Sequence, residues 1–131
     1  MPIRTGEQFI AGLRGKPRDV WVKGQRVRDV TDHSAFAGSV RQLARLYDMQ
    51  HASATQQQLT YVVPETGARA GLAFMPTRTI EDLRRKRDAY RIWAESTFGL
   101  MGRSPDFLNV TLLAFAEAKD RFAAGDRAAG R

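Results

Sequence analysis

The sequence predicts an α+β fold that is mostly helical, and three observations predict it. Apolar residues recur at helical spacing in four stretches, each with a capping residue near its start. Two pairs of short runs flank turn-forming residues, which is the pattern of β-hairpins. The 131 residues are 43% apolar and 27% charged, an ordinary globular mix for one domain.

Thr5 and Gln8 have capping-box spacing, so a helix begins there. Phe9, Ile10 and Leu13 form its apolar edge, and Gly15 with Pro17 stops it. Asp19-Val20-Trp21-Val22 and Val27-Arg28-Asp29-Val30 then flank Lys23-Gly24-Gln25-Arg26, a hairpin with a glycine-bearing turn. Thr31 or Asp32 is placed to cap a second helix over 34–48, whose face would be Phe36, Val40, Leu43 and Tyr47. Residues 49–58 are polar and unpatterned, and read as a loop. The runs 59–63 and 70–75 flank Pro64-Glu65-Thr66-Gly67, a second hairpin or an extended loop.

Thr79 opens the strongest helix, with Glu81 and Asp82 in the first turn, where the macrodipole favours acid. Ile80, Leu83, Tyr90, Ala94 and Phe98 would line one face, widened by Trp93. Gly99-Leu100-Met101-Gly102 breaks it. Ser104 suits an N-cap and Pro105 the first helical position of a last helix over 106–122. Positions 107, 108, 110 and 112–116 of that helix are all apolar. A helix apolar nearly all round is buried on most sides. The preceding elements are too few to enclose it, which predicts either an oligomer or a piece of a larger helical assembly. Residues 1–122 read as the folded domain and 123–131 as a small, polar, frayed tail.

Composition excludes several functions. The chain has no cysteine, so disulfides, cysteine-bound metals and thiol nucleophiles are absent from it. With only two histidines, His33 and His51, a metal site would have to be built mostly from carboxylates, so no metal is expected. No apolar run is long enough to span a membrane, and the N-terminus has no signal-like apolar stretch, so the expected location is the cytoplasm. The net charge is +7, carried by 17 arginines and four lysines. That charge supports one alternative function, a small basic module binding nucleic acid or an acidic partner. Its focus would be Arg84-Arg85-Lys86-Arg87 with Arg91. Acids at helical spacing (Glu81, Asp82, Asp88) and the lack of interleaved aromatic residues favour a solvated helix face instead. His33 sits where a capping role suits it better than general-base chemistry, and Trp21 and Trp93 read as core.

The densest stretch is Gly102-Arg103-Ser104-Pro105-Asp106-Phe107. It sets an arginine at the mouth of a helix N-terminus, a place that favours an anion or a phenolate oxygen. A salt bridge to Asp106 is the other reading of the same residues.

At this stretch the sequence resembles the N-terminal segment of the oxygenase component of 4-hydroxyphenylacetate 3-monooxygenase and its relatives, the two-component flavin-dependent aromatic hydroxylases. The resemblance extends over Arg4-Thr5-Gly6-Glu7-Gln8-Phe9, residues 21–27, Asp29-Val30-Thr31, His33-Ser34-Ala35-Phe36 and Ala44-Arg45-Leu46-Tyr47-Asp48. It continues through Pro76-Thr77-Arg78-Thr79, Asp82-Leu83, Arg85, Arg87 and residues 99–106. It implies the helical N-terminal domain of an acyl-CoA-dehydrogenase-like architecture, here with two short hairpins. A β-rich middle and a C-terminal helical bundle would follow, in a homo-oligomer.

The implied activity is hydroxylation of a phenolic substrate ortho to its hydroxyl. The implied cofactor is reduced FAD, delivered by a separate flavin reductase, with O2 as oxidant. The flavin does the oxygen chemistry while the protein orients the ring and excludes water. Carried over residue by residue, the family's phenol-binding arginine is Arg103, within a site loop of Gly102, Ser104, Pro105 and Asp106. Phe107 stands where a tyrosine is common, and keeps the ring without the hydroxyl. The histidine contacts and most flavin contacts would lie in later segments, so this chain alone is expected to hold no flavin and to be inactive. The related 4-hydroxybutyryl-CoA dehydratases use a cysteine-held iron–sulfur cluster, which fits this cysteine-free sequence less well than the hydroxylases do.

Overall fold

The computed structural model describes residues 3–99 and 104–123. The expected tail after residue 123 lies outside the described residues. The chain divides into two compact units, Met1–Leu59 and Thr60–Arg131.

The first unit opens with α1, Gly6–Gly15. The capping box forms as its spacing predicts: the Gln8 amide donates to Thr5 Oγ1 at 3.2 Å, and the Thr5 amide to Gln8 Oε1 at 3.0 Å. Strands β1 (Val20–Val22) and β2 (Gln25–Val27) pair antiparallel, with Val22 opposite Gln25. The turn is therefore only Lys23 and Gly24, at φ 49° and 77°. Two consecutive left-handed residues match the natural twist of a hairpin, so Gln25 and Arg26 join the strand instead of the turn.

Helix α2 is Ala37–Met49, starting later than the expected residue 34. Neither Thr31 nor Asp32 caps it; the N-cap position is Phe36, with no side-chain cap. Thr31 is committed elsewhere. Its amide donates to Asp29 Oδ1 at 2.7 Å and its hydroxyl accepts from Arg14 Nε at 3.0 Å. The buried face of α2 is Ala37, Val40 and Ala44, with Leu46; of the expected face Val40 is buried, while Phe36, Leu43 and Tyr47 are only half-buried. The reason lies in α1. Gly6 comes so close that a Cβ there would sit 2.6 Å from the Ala44 carbonyl oxygen, and only small residues permit that approach. The Gly6 amide donates to Asp48 Oδ1 at 2.7 Å, so a carboxylate from the end of α2 satisfies an orphan donor at the start of α1. Phe9 stacks on Tyr47 with centroids 5.0 Å apart. The expected loop over 49–58 carries one helical turn at its end, α3 (Gln56–Leu59), whose last residue is almost wholly buried.

In the second unit, β3 (Thr60–Val62) pairs antiparallel with β4 (Arg69–Gly71). The hairpin alternative is thus the one adopted. The Gly67 amide closes its turn on the Val63 carbonyl at 2.9 Å, with Gly67 at φ 65°. A 3-10 turn over Leu72–Phe74 buries Leu72 and Ala73. Helix α4 is Ile80–Ser96. Asp82 Oδ2 accepts from the Thr79 amide at 2.9 Å and the Arg78 amide at 3.0 Å, while the Asp82 amide donates to Thr79 Oγ1. The helix ends two residues before the expected Phe98. Phe98 and Gly99 turn left-handed, and the Gly99 amide reaches the Ala94 carbonyl at 2.8 Å.

The face of α4 also departs from expectation. Ile80, Leu83 and Phe98 are exposed. Lys86, Ala89 and Thr97 are buried, with Trp93 half-buried between them. A buried lysine is something that periodicity of apolar residues cannot register. The final helix does not start as an α-helix at Asp106 behind a Ser104 cap. Residues Ser104–Asn109 form a π-helical turn, and α5 proper is Val110–Glu117. The wide π turn puts helical backbone where a cap was expected. Arg78 pairs with Glu117, tying the approach to α4 to the end of α5.

Two predictions come from these contacts. Gly6→Ala forces Cβ into the Ala44 backbone and strains the bond to Asp48, so urea unfolding should register a loss of about 1–3 kcal/mol; an unchanged midpoint would contradict the close approach. Asp82 titrates below its ordinary range, because the Arg78 amide and then the Thr79 groups hold its carboxylate. Its stabilisation is complete above the unfolded-state value of about 3.9 and is lost as pH falls through the lower folded value. Asp82→Asn should therefore lower the thermal midpoint at neutral pH and flatten its decline in acid, measured by circular dichroism.

Candidate functional site

Of the six residues expected to form the site, Gly102 and Arg103 lie outside the described residues. Ser104, Pro105 and Asp106 are placed as backbone of the π turn. Phe107 is the one whose side chain is described, and it is 54% exposed. The geometry therefore brings the chain from Ser104 to Phe107 into one turn, and leaves the relation of Arg103 to it outside the described residues. π turns interrupt the regular ladder and recur where a site needs backbone in a particular register. Here the Thr111 hydroxyl donates to the Phe107 carbonyl at 2.7 Å, an i−4 bond that steadies the junction of π turn and α5.

Beyond Phe107 the apolar surface continues. Leu108, Leu112, Phe115 and Phe122 are each between 56% and 60% exposed, and no residue of α5 is buried. Phe115 and Phe122 meet edge to face at 5.6 Å. The burial expected for this helix is thus not supplied among the described residues.

The basic run on α4 does not form one stripe. Lys86 is buried, and burial pushes its ammonium below the usual lysine range against the opposing pull of Asp82. Arg85 turns to the Met75 sulfur at 3.7 Å. Arg84, Arg87 and Arg91 pair with Glu81, Asp88 and Glu95 at 3.6, 3.4 and 3.8 Å. These pairs support the solvated-face reading over a phosphate track. Both histidines serve local structure. His33 Nδ1 accepts from the Ala35 amide at 3.1 Å, and His51 Nε2 lies 3.1 Å from the Arg4 carbonyl oxygen.

The tryptophans differ from the core expectation. Trp21 is 60% exposed, its Nε1 donating to Asp19 at 3.2 Å. Trp93 has a buried Nε1 with no hydrogen-bond partner among the described residues. The sequence places Lys86 in the solvated basic run and Trp93 in the core, and neither the burial of that lysine nor the unpartnered indole donor is among its expectations. The available signal was a lysine three residues before Ala89 and seven before Trp93, on one helical face. No helix among the described residues is long and apolar enough to cross a membrane.

Comparison with known proteins converges on one family. The family described as 4-hydroxyphenylacetate 3-hydroxylase N terminal matches residues 5–131. The oxygenase component of 4-hydroxyphenylacetate 3-monooxygenase from Thermus thermophilus is 44% identical over 119 residues, which are 91% of this chain and 24% of the relative. A crystal structure of such an oxygenase component, complexed with FAD and 4-hydroxyphenylacetate, superposes with a TM-score of 0.84 at 44% identity, over 91% of this chain and 25% of that one. An archaeal 4-hydroxybutyryl-CoA dehydratase from N. maritimus shares the fold at a TM-score of 0.62 and 24% identity, over 72% of this chain and 19% of its own. The chain spans about a quarter of the length of the first two proteins. Its mostly helical α+β fold with two antiparallel hairpins is that of their N-terminal part. By its sequence and its fold, this chain belongs to the 4-hydroxyphenylacetate 3-hydroxylase N-terminal family.

Proposed function

We propose that residues 1–122 act as the N-terminal domain of a reduced-flavin-dependent monooxygenase that hydroxylates a phenol ortho to its hydroxyl. The observation that carries this reading is the family match over 5–131, together with a 44%-identical structure complexed with FAD and 4-hydroxyphenylacetate. Bound reduced flavin supplies the oxygen chemistry, and a separate reductase supplies the reduced flavin. In this reading the enzyme is cytoplasmic and a homo-oligomer. Further chain beyond this domain covers α5 and completes the flavin site, so the 131 residues alone do not turn over.

The role of this chain's own residues is to hold the phenol. Arg103, which precedes Ser104 in the sequence, takes the phenolic oxygen as phenolate, which enriches the ortho carbon in electrons. Phe107 supplies a ring face and no hydroxyl, so the arginine carries the polar recognition on this side of the substrate.

The test is a chimera in which residues 5–123 replace the matching segment of the Thermus relative. Given reduced FAD, O2 and 4-hydroxyphenylacetate, the folded chimera should yield the catechol, and the 131-residue chain none. Arg103→Ala in the chimera should cut turnover by about a hundredfold with an unchanged thermal midpoint. A folded, flavin-loaded chimera that makes no catechol, or robust turnover by the chain alone, would overturn the reading.

A further inference from the structure

Helix α4 ends in a Schellman motif. The Gly99 amide donates to the Ala94 carbonyl at 2.8 Å and the Phe98 amide to the Glu95 carbonyl at 3.5 Å. The residue just past the cap, Thr97, is Phe98, at φ 51°. Glycine is the usual occupant of that position, because a Cβ in the left-handed region crowds the backbone beside it. Here the glycine comes one residue later and a phenylalanine takes the left-handed place. For so bulky a residue that conformation is strained. The ring gains nothing in return among the described residues. Phe98 is 94% exposed, against 70% for Ile80, the next most exposed large apolar residue. Lys23, the other non-glycine residue at positive φ among those described, at least keeps a charged side chain in water.

A ring held out by its own backbone fits an apolar socket. It can bury a large area there with little further ordering. A second copy of this chain is a poor source of that socket. The pocket of the first unit has Arg14, Arg18, Arg28 and Asp29 in its walls, and a ring seated there would strip water from charges. Further chain is the better source. In the Thermus relative the matched segment is 24% of the protein, so about three quarters of that protein is chain this one does not contain.

We propose that Phe98 is a docking anchor, whose ring seats in an apolar socket of the chain that follows this domain in the complete enzyme. The proposal rests on the hydroxylase reading for the presence of that chain. The left-handed backbone holds the ring out before the socket arrives.

The test compares Phe98→Ala and Phe98→Gly, each in the 131-residue chain and in the chimera, by thermal midpoint. Alanine removes the ring and keeps the strain, whereas glycine removes both. In the 131-residue chain Phe98→Ala should leave the midpoint unchanged and Phe98→Gly should raise it by roughly 2–6 °C. In the chimera both should lower it, because a buried ring outweighs a strained φ. The effect of Phe98→Gly thus changes sign with context. Chymotrypsin should cut after Phe98 in the 131-residue chain, and about tenfold more slowly in the chimera, read by mass spectrometry. A raised midpoint for Phe98→Gly in both proteins, equal cleavage in both, or a loss from Phe98→Ala in the 131-residue chain would overturn the proposal. So would a midpoint of the 131-residue chain that rises with its concentration and ceases to do so in Phe98→Ala, which would make a second copy the occupant. A folded chimera that shows the change of sign and makes no catechol would overturn the hydroxylase reading alone.

Discussion

Helix α5 is apolar around its circumference, and every argument about this chain returns to it. A helix with one apolar stripe can be satisfied by one neighbour; one with apolar residues at 107, 108, 110 and 112–116 needs neighbours on several sides. Within the described residues it has few. Leu112 and Phe115 stay more than half exposed, as do Phe107, Leu108 and Phe122 around them. Full burial of such a side chain contributes roughly 1.5–3 kcal/mol. Several kcal/mol of hydrophobic stabilisation are therefore unrealised at this end of the chain, a large share of the total stability of about 5–15 kcal/mol of a typical domain. The relative of 44% identity is about four times as long as this chain, and the proposed function assigns the cover of α5 to further chain of that kind.

The first unit has the opposite character. Its two main helices are joined by a close approach that leaves no slack: a glycine against the Ala44 carbonyl, a carboxylate on the freed amide, and one aromatic pair. The residues that make this joint, Gly6, Phe9, Ala44, Tyr47 and Asp48, lie in the segments that carry the family resemblance. That gives the resemblance a physical content. In this chain they dock one helix on another.

Local signals were legible in the sequence wherever one short segment determines its own conformation. The capping box at Thr5 forms as its spacing predicts, Thr79 opens α4 as expected, the first hairpin forms, and the second adopts one of the two alternatives the sequence left open. What sequence could not supply was the outcome of competition between segments. Thr31 was a plausible cap until Arg14 and Asp29 claimed it. The α2 face shifted because Gly6 demanded a small partner in Ala44, a long-range fact that no window of α2 contains. Lys86 is buried, and apolar periodicity counts it as surface. At the candidate site, the run around Ser104 and Pro105 read correctly as the start of a helix. Its π register did not, because the α and π forms share the same residue preferences at a first turn.

Hydrogen exchange at the amides of Val110–Glu117 tests the central claim most directly. In the isolated chain these amides should exchange far faster than those of α2, because α5 lacks the packing that would protect it. Joined to the remaining segments of a relative, the same amides should become as slow as the core. Protection of α5 equal to that of α2 in a monomeric 131-residue chain would mean that the helix is already satisfied, and the account built on its missing neighbours would be wrong.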